Sequence, residues 1–252
     1  PIEVFAGSDQ HYKVTVEQLE AAYTPATKAL IFVSPSNPTG AVYTEEETRA
    51  IGEWALAKGI FVLTDEIYEH LTYDGVQAVS ILKAVPELAD LCVILNGVAK
   101  TYAMTGWRVG WMIGPRDVIA AASNLQSHMT SNVNNIAQEA ARAAVSGSLD
   151  AVNAMRVAFD RRRRTIVDML RQIDGFDVPT PKGAFYAFAN ISKTSLGSRD
   201  FAIRLLQEKH TVVVPGTGFG EGGEGFVRLS YATSEENIHE GLKRIKEFVD
   251  SL

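Results

Sequence analysis

The chain has 252 residues, of which 46% are hydrophobic and 21% are charged, and its formal net charge is −6. This composition is ordinary for a globular protein and excludes disordered, collagen-like and disulfide-stabilised classes. The acidic balance argues against a nucleic-acid-binding protein, and no run of 18 apolar residues predicts a membrane-spanning helix. The one cysteine, Cys92, cannot form an internal disulfide and fits a reducing, cytoplasmic location.

The first half of the chain alternates short apolar runs with helical patterns. The apolar runs are rich in β-branched residues and predict four strands, at residues 29–34, 60–64, 91–95 and 109–113. Between the first two, a capping box from Thr44 to Glu47 predicts the start of a helix that ends at Lys58, with Gly59 after it. This rhythm predicts an α/β layer with a mostly parallel sheet flanked by helices.

The second half of the chain begins with helix and then changes character. Residues 117–173 lack strong helix breakers apart from Gly147, and residues 150–173 predict one long helix. In the remainder, short strands are predicted at 184–190, 211–214 and 226–232, and a helix is predicted at 198–209. A final helix is predicted to start at the capping box at 233–236. We therefore expect a large domain over residues 1–165 and a smaller α+β domain over residues 166–252.

Polar side chains follow the predicted parallel strands, where ligands of open α/β sheets bind. Asn37 follows the first strand, Asp65 and Tyr68 follow the second, and Lys100 and Arg108 follow the third. A lysine amine forms a Schiff base with an aldehyde, a buried carboxylate keeps a pyridine nitrogen protonated, and a guanidinium binds a phosphate. These are the groups that pyridoxal phosphate requires.

Five segments resemble the class I aminotransferases, which are fold-type I pyridoxal-phosphate enzymes, and in particular the bacterial aspartate aminotransferase branch. They are SPSNPTG at 34–40, TDEIYEH at 64–70, NGVAKTYAMTGWRVG at 96–110, KGAFY at 182–186 and FVRLSYA at 226–232. The resemblance implies that the chain corresponds to the C-terminal two thirds of such an enzyme. The family's N-terminal part, with a glycine-rich phosphate loop and a ring-stacking aromatic residue, would precede it.

The resemblance assigns a role to each candidate side chain. Lys100 would form the internal aldimine and then move a proton at the substrate Cα. Asp65 would pair with the pyridine nitrogen, Asn37 and Tyr68 would bind the 3-oxygen of the ring, and Arg108 would bind the phosphate. Many relatives carry a phosphate-binding serine three residues before the lysine, where this chain has Gly97.

Substrate binding is also implied by the resemblance. Arg228 would hold the α-carboxylate, with Asn37 beside it. The implied reaction is ping-pong transfer of an amino group, first between aspartate and 2-oxoglutarate, in a homodimer. Aromatic or alanine transamination, β-elimination, a non-catalytic cofactor- or effector-binding domain, and an inactive fragment remain alternatives.

Other patterns have ordinary explanations. Residues 218–223 match GxGxxG, but a strand is predicted after them, so we expect a loop between strands rather than a dinucleotide site. The four arginines at 161–164 lie on a predicted helix and spread around its axis, which favours a solvated or subunit-facing helix over a nucleic-acid patch. The five histidines lack metal-ligand spacing, and no metal is expected.

Overall fold

A computed structural model describes residues 1–252, which form two compact units. One unit contains residues 14–35 and 42–154, and we call it the sheet unit. The other contains residues 1–13, 36–41 and 155–252, and we call it the C-terminal unit. The domain boundary at residue 165 stays a prediction.

The sheet unit contains a four-stranded sheet in the order β1-β2-β3-β4. Its strands are β1 (Ala29–Val33), β2 (Phe61–Asp65), β3 (Cys92–Gly97) and β4 (Gly110–Ile113), close to the predicted bounds. β1, β2 and β3 are parallel, whereas β4 is antiparallel to β3. The carboxyl ends of β2 and β3 therefore lie at the same edge of the sheet, which is where the candidate residues follow.

The helices of this unit are α1 (Val16–Ala22), α2 (Glu45–Lys58), α3 (Ile81–Ala84), α4 (Arg116–Met129) and α5 (Asn135–Ser146). The predicted capping box of α2 is confirmed, because Thr44 Oγ1 accepts the Glu47 N–H and the Glu47 carboxylate accepts the Thr44 N–H. Gly59 ends the helix with φ of +65°, which a glycine adopts at little cost. α1 was not predicted from the sequence.

The prediction of continuous helix after residue 117 was wrong at one place. The chain leaves the helix between α4 and α5, where Ser131 has φ of +59°. Asn134 then caps α5 by accepting the N–H groups of Ile136 and Ala137. Short polar side chains of this kind compete with helical backbone bonds, so they end one helix and begin the next.

The C-terminal unit begins with α6 (Asp150–Leu170), most of which belongs to it, and continues with α7 (Ser198–Lys209) and α8 (Glu235–Val249). Its antiparallel sheet has the order β5-β7-β6, with β5 at Tyr186–Asn190, β6 at Val214–Pro215 and β7 at Phe226–Ser230. The strand predicted at 211–214 was misplaced, since pairing involves only Val214 and Pro215. Two 3₁₀ turns occupy residues 216–223, so the glycine-rich segment joins two strands as expected.

Within the structure, no helix combines the length and the apolar character that a membrane-spanning helix requires.

Candidate active site

Asp65 is the last residue of β2 and lies opposite Leu95 of β3 in the parallel register. Its carboxylate Oδ1 accepts the backbone N–H of Ile67 at 3.1 Å, which makes a local turn at the strand end. The side chain is half-buried. This turn fixes the carboxylate at the edge of the sheet while the chain reverses towards Tyr68.

Tyr68 and Lys100 approach each other in the loops that follow β2 and β3. The Tyr68 side chain is 3% exposed, and Lys100 Nζ lies 6.0 Å from the centroid of its ring. Lys100 itself is half-buried, in a tight turn closed by the bond from the Ala103 N–H to the Lys100 carbonyl. The structure therefore brings together two sequence-predicted residues, Tyr68 and Lys100, and places Asp65 at the strand end from which the Tyr68 loop starts.

Side-chain hydrogen bonds hold the loop after Asp65 to β3 and to the loop that follows β3. Asn96 Nδ2 donates to Glu69 Oε1 at 2.7 Å, while Asn96 Oδ1 accepts the Gly97 N–H at 2.7 Å. The Thr101 hydroxyl donates to the Ile67 carbonyl at 3.5 Å. The loop after Asp65 is thus held to the end of β3 by Asn96 and to the loop that carries Lys100 by Thr101.

Glu66 is a buried carboxyl group that the sequence reasoning missed. It follows Asp65 directly and is 6% exposed. Its Oε1 accepts hydrogen bonds from the Thr64 hydroxyl at 3.2 Å, the Ser80 hydroxyl at 3.0 Å and the Ile81 N–H at 3.3 Å. Burial raises the pKa of Glu66, and the three hydrogen bonds oppose that rise. The far end of the loop after β2 is therefore anchored next to the Asp65 turn.

Arg108 is exposed and adopts a left-handed backbone conformation with φ of +56°. Its Nη1 donates to the Thr105 carbonyl at 2.9 Å. The side chain lines a cavity of about 850 Å³ that is bordered by hydroxyl and amide groups, including those of Ser131, Asn132 and Asn134. An arginine fork in such a polar cavity suits an anion such as a phosphate.

Gly97 has a steric reason to lack a side chain. It pairs with Gly110 of β4, and a Cβ atom at position 97 would lie 2.9 Å from the Val109 carbonyl oxygen and 3.0 Å from the Gly110 Cα. A serine would require the antiparallel strand to move. Any phosphate in this protein is therefore bound without a hydroxyl at this position.

Asn37 and Arg228 form a second cluster, which lies within the C-terminal unit. Arg228 Nη1 donates to Asn37 Oδ1 at 2.7 Å. The guanidinium carbon lies 4.4 Å from the centroid of the Tyr186 ring and 4.9 Å from that of Phe219, and Arg228 Nε is buried without a hydrogen-bond partner. This partly desolvated cation, whose hydrogen bond goes to a neutral amide, is suited to a carboxylate ligand. Asn37 provides its orientation.

The aromatic rings around Arg228 were not predicted as site residues. Phe219 lies in a turn that was recognised in the sequence only as glycine-rich. Tyr186 lies in a segment that resembles the family, but the resemblance gave Tyr186 no role. Arginine side chains often stack on aromatic rings, but which ring lies against Arg228 depends on how the strands pair, and the sequence does not show this. Tyr186 is opposite Ser230 in the β5–β7 ladder, two positions from Arg228 along β7.

The donor set of the sheet unit fits pyridoxal phosphate in its chemistry. An amine suits the aldehyde, a carboxylate suits the pyridine nitrogen, a phenol suits the ring oxygen and a guanidinium suits the phosphate. These groups belong to Lys100, Asp65, Tyr68 and Arg108, which lie in the loops around the ends of β2, β3 and β4.

Known proteins resemble this chain in sequence and in structure. The chain is 57% identical to an aspartate aminotransferase of Streptomyces avermitilis, over 99% of this chain and 63% of that protein. It is 48% identical to the aspartate aminotransferase of Geobacillus stearothermophilus, over 100% of this chain and 65% of that protein. The crystal structure of an aromatic aminotransferase from Pyrococcus horikoshii matches with a TM-score of 0.95 at 36% identity, over 100% of this chain and 67% of that one.

The chain thus spans somewhat less than two thirds of the length of these curated relatives. The family model for aminotransferase class I and II matches residues 2–245. This chain belongs to the class I and II aminotransferases.

Proposed function

We propose that the protein transfers an amino group between an L-amino acid and a 2-oxo acid with pyridoxal phosphate as cofactor. The observation that carries the proposal is the approach of Lys100, in the loop after β3, to Tyr68, in the loop that follows Asp65 at the end of β2. When bound, the cofactor supplies an electron-withdrawing ring that stabilises negative charge at the Cα of an amino acid.

The residues of the sheet unit hold the cofactor and move a proton. Lys100 would hold the aldehyde carbon of the cofactor through its amine, and its free amine would carry a proton between the substrate Cα and that same aldehyde-derived carbon. Asp65 would accept a hydrogen bond from the pyridine N–H and would keep that nitrogen protonated. Tyr68 would donate a hydrogen bond to the ring oxygen, and Arg108 would bind the phosphate.

Arg228 and Asn37 bind the substrate carboxylate. A guanidinium donates two parallel hydrogen bonds to a carboxylate, and the rings of Tyr186 and Phe219 exclude water from its faces. Asn37 holds one edge of the guanidinium, and its amide nitrogen is a further donor for the same carboxylate.

Aspartate and 2-oxoglutarate are the proposed first substrates. The support is that relatives at 57% and 48% identity are named aspartate aminotransferases. A relative at 41% identity is named asparagine–oxo-acid transaminase, and the Pyrococcus horikoshii structure is of an aromatic aminotransferase. We further propose a homodimer located in the cytoplasm, which light scattering and cell fractionation would test.

The test is to trap the cofactor on its lysine. The protein is incubated with pyridoxal phosphate, reduced with borohydride and digested, and the labelled peptide is identified by mass spectrometry. We expect one dominant adduct on Lys100, lost in Lys100→Ala and retained in Lys83→Ala, a matched change at an exposed lysine. Labelling that is unaffected by Lys100→Ala would refute the proposed cofactor site.

Product analysis separates the reactions. Aspartate and 2-oxoglutarate should give oxaloacetate and glutamate, whereas β-elimination releases ammonia with a 2-oxo acid. Replacing 2-oxoglutarate by an aromatic 2-oxo acid tests the aromatic alternative. Release of ammonia without formation of a new amino acid would contradict amino-group transfer.

A further inference from the structure

Arg163 is a buried charge that the proposed reaction does not use. It lies in the four-arginine segment of α6, and its side chain is 1% exposed, whereas that of Arg164 is 62% exposed. The expectation of a solvated or subunit-facing helix therefore does not hold for Arg163, whose side chain is buried within the chain itself. A buried ion pair is weak evidence for stability, since apolar residues of the same volume are often at least as stable. Its presence calls for another explanation.

Hydrogen bonds of Arg163 connect its own helix to one loop. Nε and Nη2 donate to Asp160 Oδ1 at 2.9 and 2.6 Å, one helical turn earlier. Nη1 donates to the Pro181 carbonyl at 2.8 Å. Asp160 therefore fixes the plane of the guanidinium, and Nη1 in the same plane holds the chain at residue 181.

The held loop in turn closes the segment that carries Asn37. The N–H groups of Lys182 and Gly183 both donate to the Gly40 carbonyl at 2.9 Å. Gly40 has φ of +68°, and a Cβ atom there would lie 2.4 Å from Pro181 Cβ. Gly40 and Pro181 therefore pack with no space between them, so a shift of Pro181 would also move Gly40.

Within residues 36–41 the backbone closes on itself. The Ser36 N–H donates to the Ala41 carbonyl, and the Gly40 N–H donates to the Ser36 carbonyl, both at 2.9 Å. Asn37 lies inside this closed turn, and its Oδ1 accepts from Arg228. A continuous chain of contacts therefore runs from the buried cation to the guanidinium proposed to bind substrate.

We propose that Arg163 is a positioning residue that sets the Asn37 turn and, through Asn37, the orientation of the Arg228 guanidinium. The second half of this inference rests on the proposed role of Arg228, whereas the first half does not. The whole path, from Asp160 to Arg228, lies within the C-terminal unit.

The main variant is Arg163→Lys, which keeps the buried charge beside Asp160 but cannot also hold the Pro181 carbonyl through a rigid fork. Arg164→Lys is the matched control, because Arg164 pairs with the same carboxylate at 3.1 Å from an exposed position. Arg163→Met, which removes the charge, is a second variant. All are made in the full chain.

Amide hydrogen exchange tests the first half without cofactor or activity. In Arg163→Lys we expect peptides covering residues 36–41 and 182–183 to exchange about tenfold faster, because a lost charge-assisted hydrogen bond is worth about that factor. The interior of α7 should be unchanged, and Arg164→Lys should leave all these peptides unchanged. Unaltered exchange at 36–41, or faster exchange throughout the unit, would overturn the proposal.

Binding of succinate, a non-reacting dicarboxylate, to the protein loaded with pyridoxal phosphate tests the second half. Arg163→Lys should raise the dissociation constant of succinate, and KM for the amino acid, on the order of tenfold with little change in kcat. Arg164→Lys should change neither. If Arg228→Gln weakens succinate binding but Arg163→Lys does not, the positioning role is overturned. If Arg228→Gln has no effect, the carboxylate site itself is wrong, and hydrogen exchange still decides the role of Arg163 in the loop.

Discussion

Replacement of the buried Glu66 separates its hydrogen bonds from its charge. Glu66→Ala removes one acceptor that serves Thr64, Ser80 and the Ile81 N–H. At roughly 1 kcal/mol for each lost hydrogen bond, we expect the free energy of unfolding to fall by about 3 kcal/mol. Glu66→Gln keeps the Oε1 acceptor and removes the charge, so its cost at neutral pH should be below about 1 kcal/mol.

The difference between the wild type and Glu66→Gln should depend on pH in a known direction. Burial raises the pKa of Glu66 above its ordinary value of 4.5, so the folded protein holds this proton at pH values where the unfolded chain has lost it. The stabilisation is therefore complete below pH 4.5 and is lost as pH rises through the folded-state pKa. Each unit of pKa shift corresponds to about 1.4 kcal/mol.

Urea denaturation of the wild type, Glu66→Gln and Glu66→Ala at several pH values between 4 and 8 measures both effects. We expect the wild type to lose stability relative to Glu66→Gln as the pH increases. If the difference in free energy of unfolding between the wild type and Glu66→Gln is independent of pH, or favours the wild type more at high pH, burial does not raise the pKa of Glu66. An alanine variant as stable as the glutamine variant would show that the three hydrogen bonds contribute nothing.

Two further predictions use paired variants and the same denaturation assay. Gly40→Ala should lower the free energy of unfolding by about 3 kcal/mol or more, because the alanine would have to adopt φ of +68° and its Cβ would overlap Pro181. Gly59→Ala has a similar φ of +65° but no atom within 4 Å of the added Cβ, so it should lower the free energy of unfolding by only about 1 kcal/mol. Equal costs would mean that the Pro181 contact yields easily. Thr48→Val should be neutral or stabilising by up to about 1 kcal/mol, because the Thr48 hydroxyl is buried without a partner. Thr194→Val should instead cost about 1–2 kcal/mol, because the Thr194 hydroxyl donates to a carbonyl at 2.8 Å; a larger loss for Thr48→Val would contradict this account.

The sequence predicted the sheet well because strand position is a local property. Unbroken β-branched runs predicted β1, β2 and β3 within one or two residues, and the parallel order followed from the helical patterns between them. β6 was misplaced because residues 211–213 have a strand-like composition, but Pro215 cannot donate a ladder hydrogen bond and the pairing stays short. Composition alone does not show where pairing ends.

Helix ends were predicted only where the cap is unambiguous. Thr44 and Gly59 bound α2 as expected. The last helix was placed one residue early, because Thr233 and Ser234 both suit an N-cap and Ser234 is the one that accepts the Asn237 N–H. Thr233 Oγ1 instead accepts from the Asn237 side chain. Two neighbouring capping residues compete, and only the geometry of the entering chain decides between them.

The candidate site was predicted in part because its residues follow strands. Lys100 approaches Tyr68, and Asp65 ends the strand beside β3, as the parallel order predicts. The aromatic faces of Arg228 were missed, because Phe219 approaches it across a turn whose shape glycine content does not specify. The role of Arg163 was missed for a similar reason, since its partner at Pro181 lies 18 residues away in an irregular loop.

The groups that sequence reasoning missed share one physical property. Strand ends fix where a backbone turns, but Asn37, Tyr68 and Lys100 lie in loops, whose own backbone bonds are few. In this protein buried or partly buried polar groups supply what the strands do not: Glu66 anchors the loop after Asp65, and Asn96 joins that loop to the end of β3. Arg163 does the same for the turn with Asn37. Because Arg163 positions a loop that carries a proposed ligand-binding residue, its substitution should disturb ligand binding before it unfolds the chain.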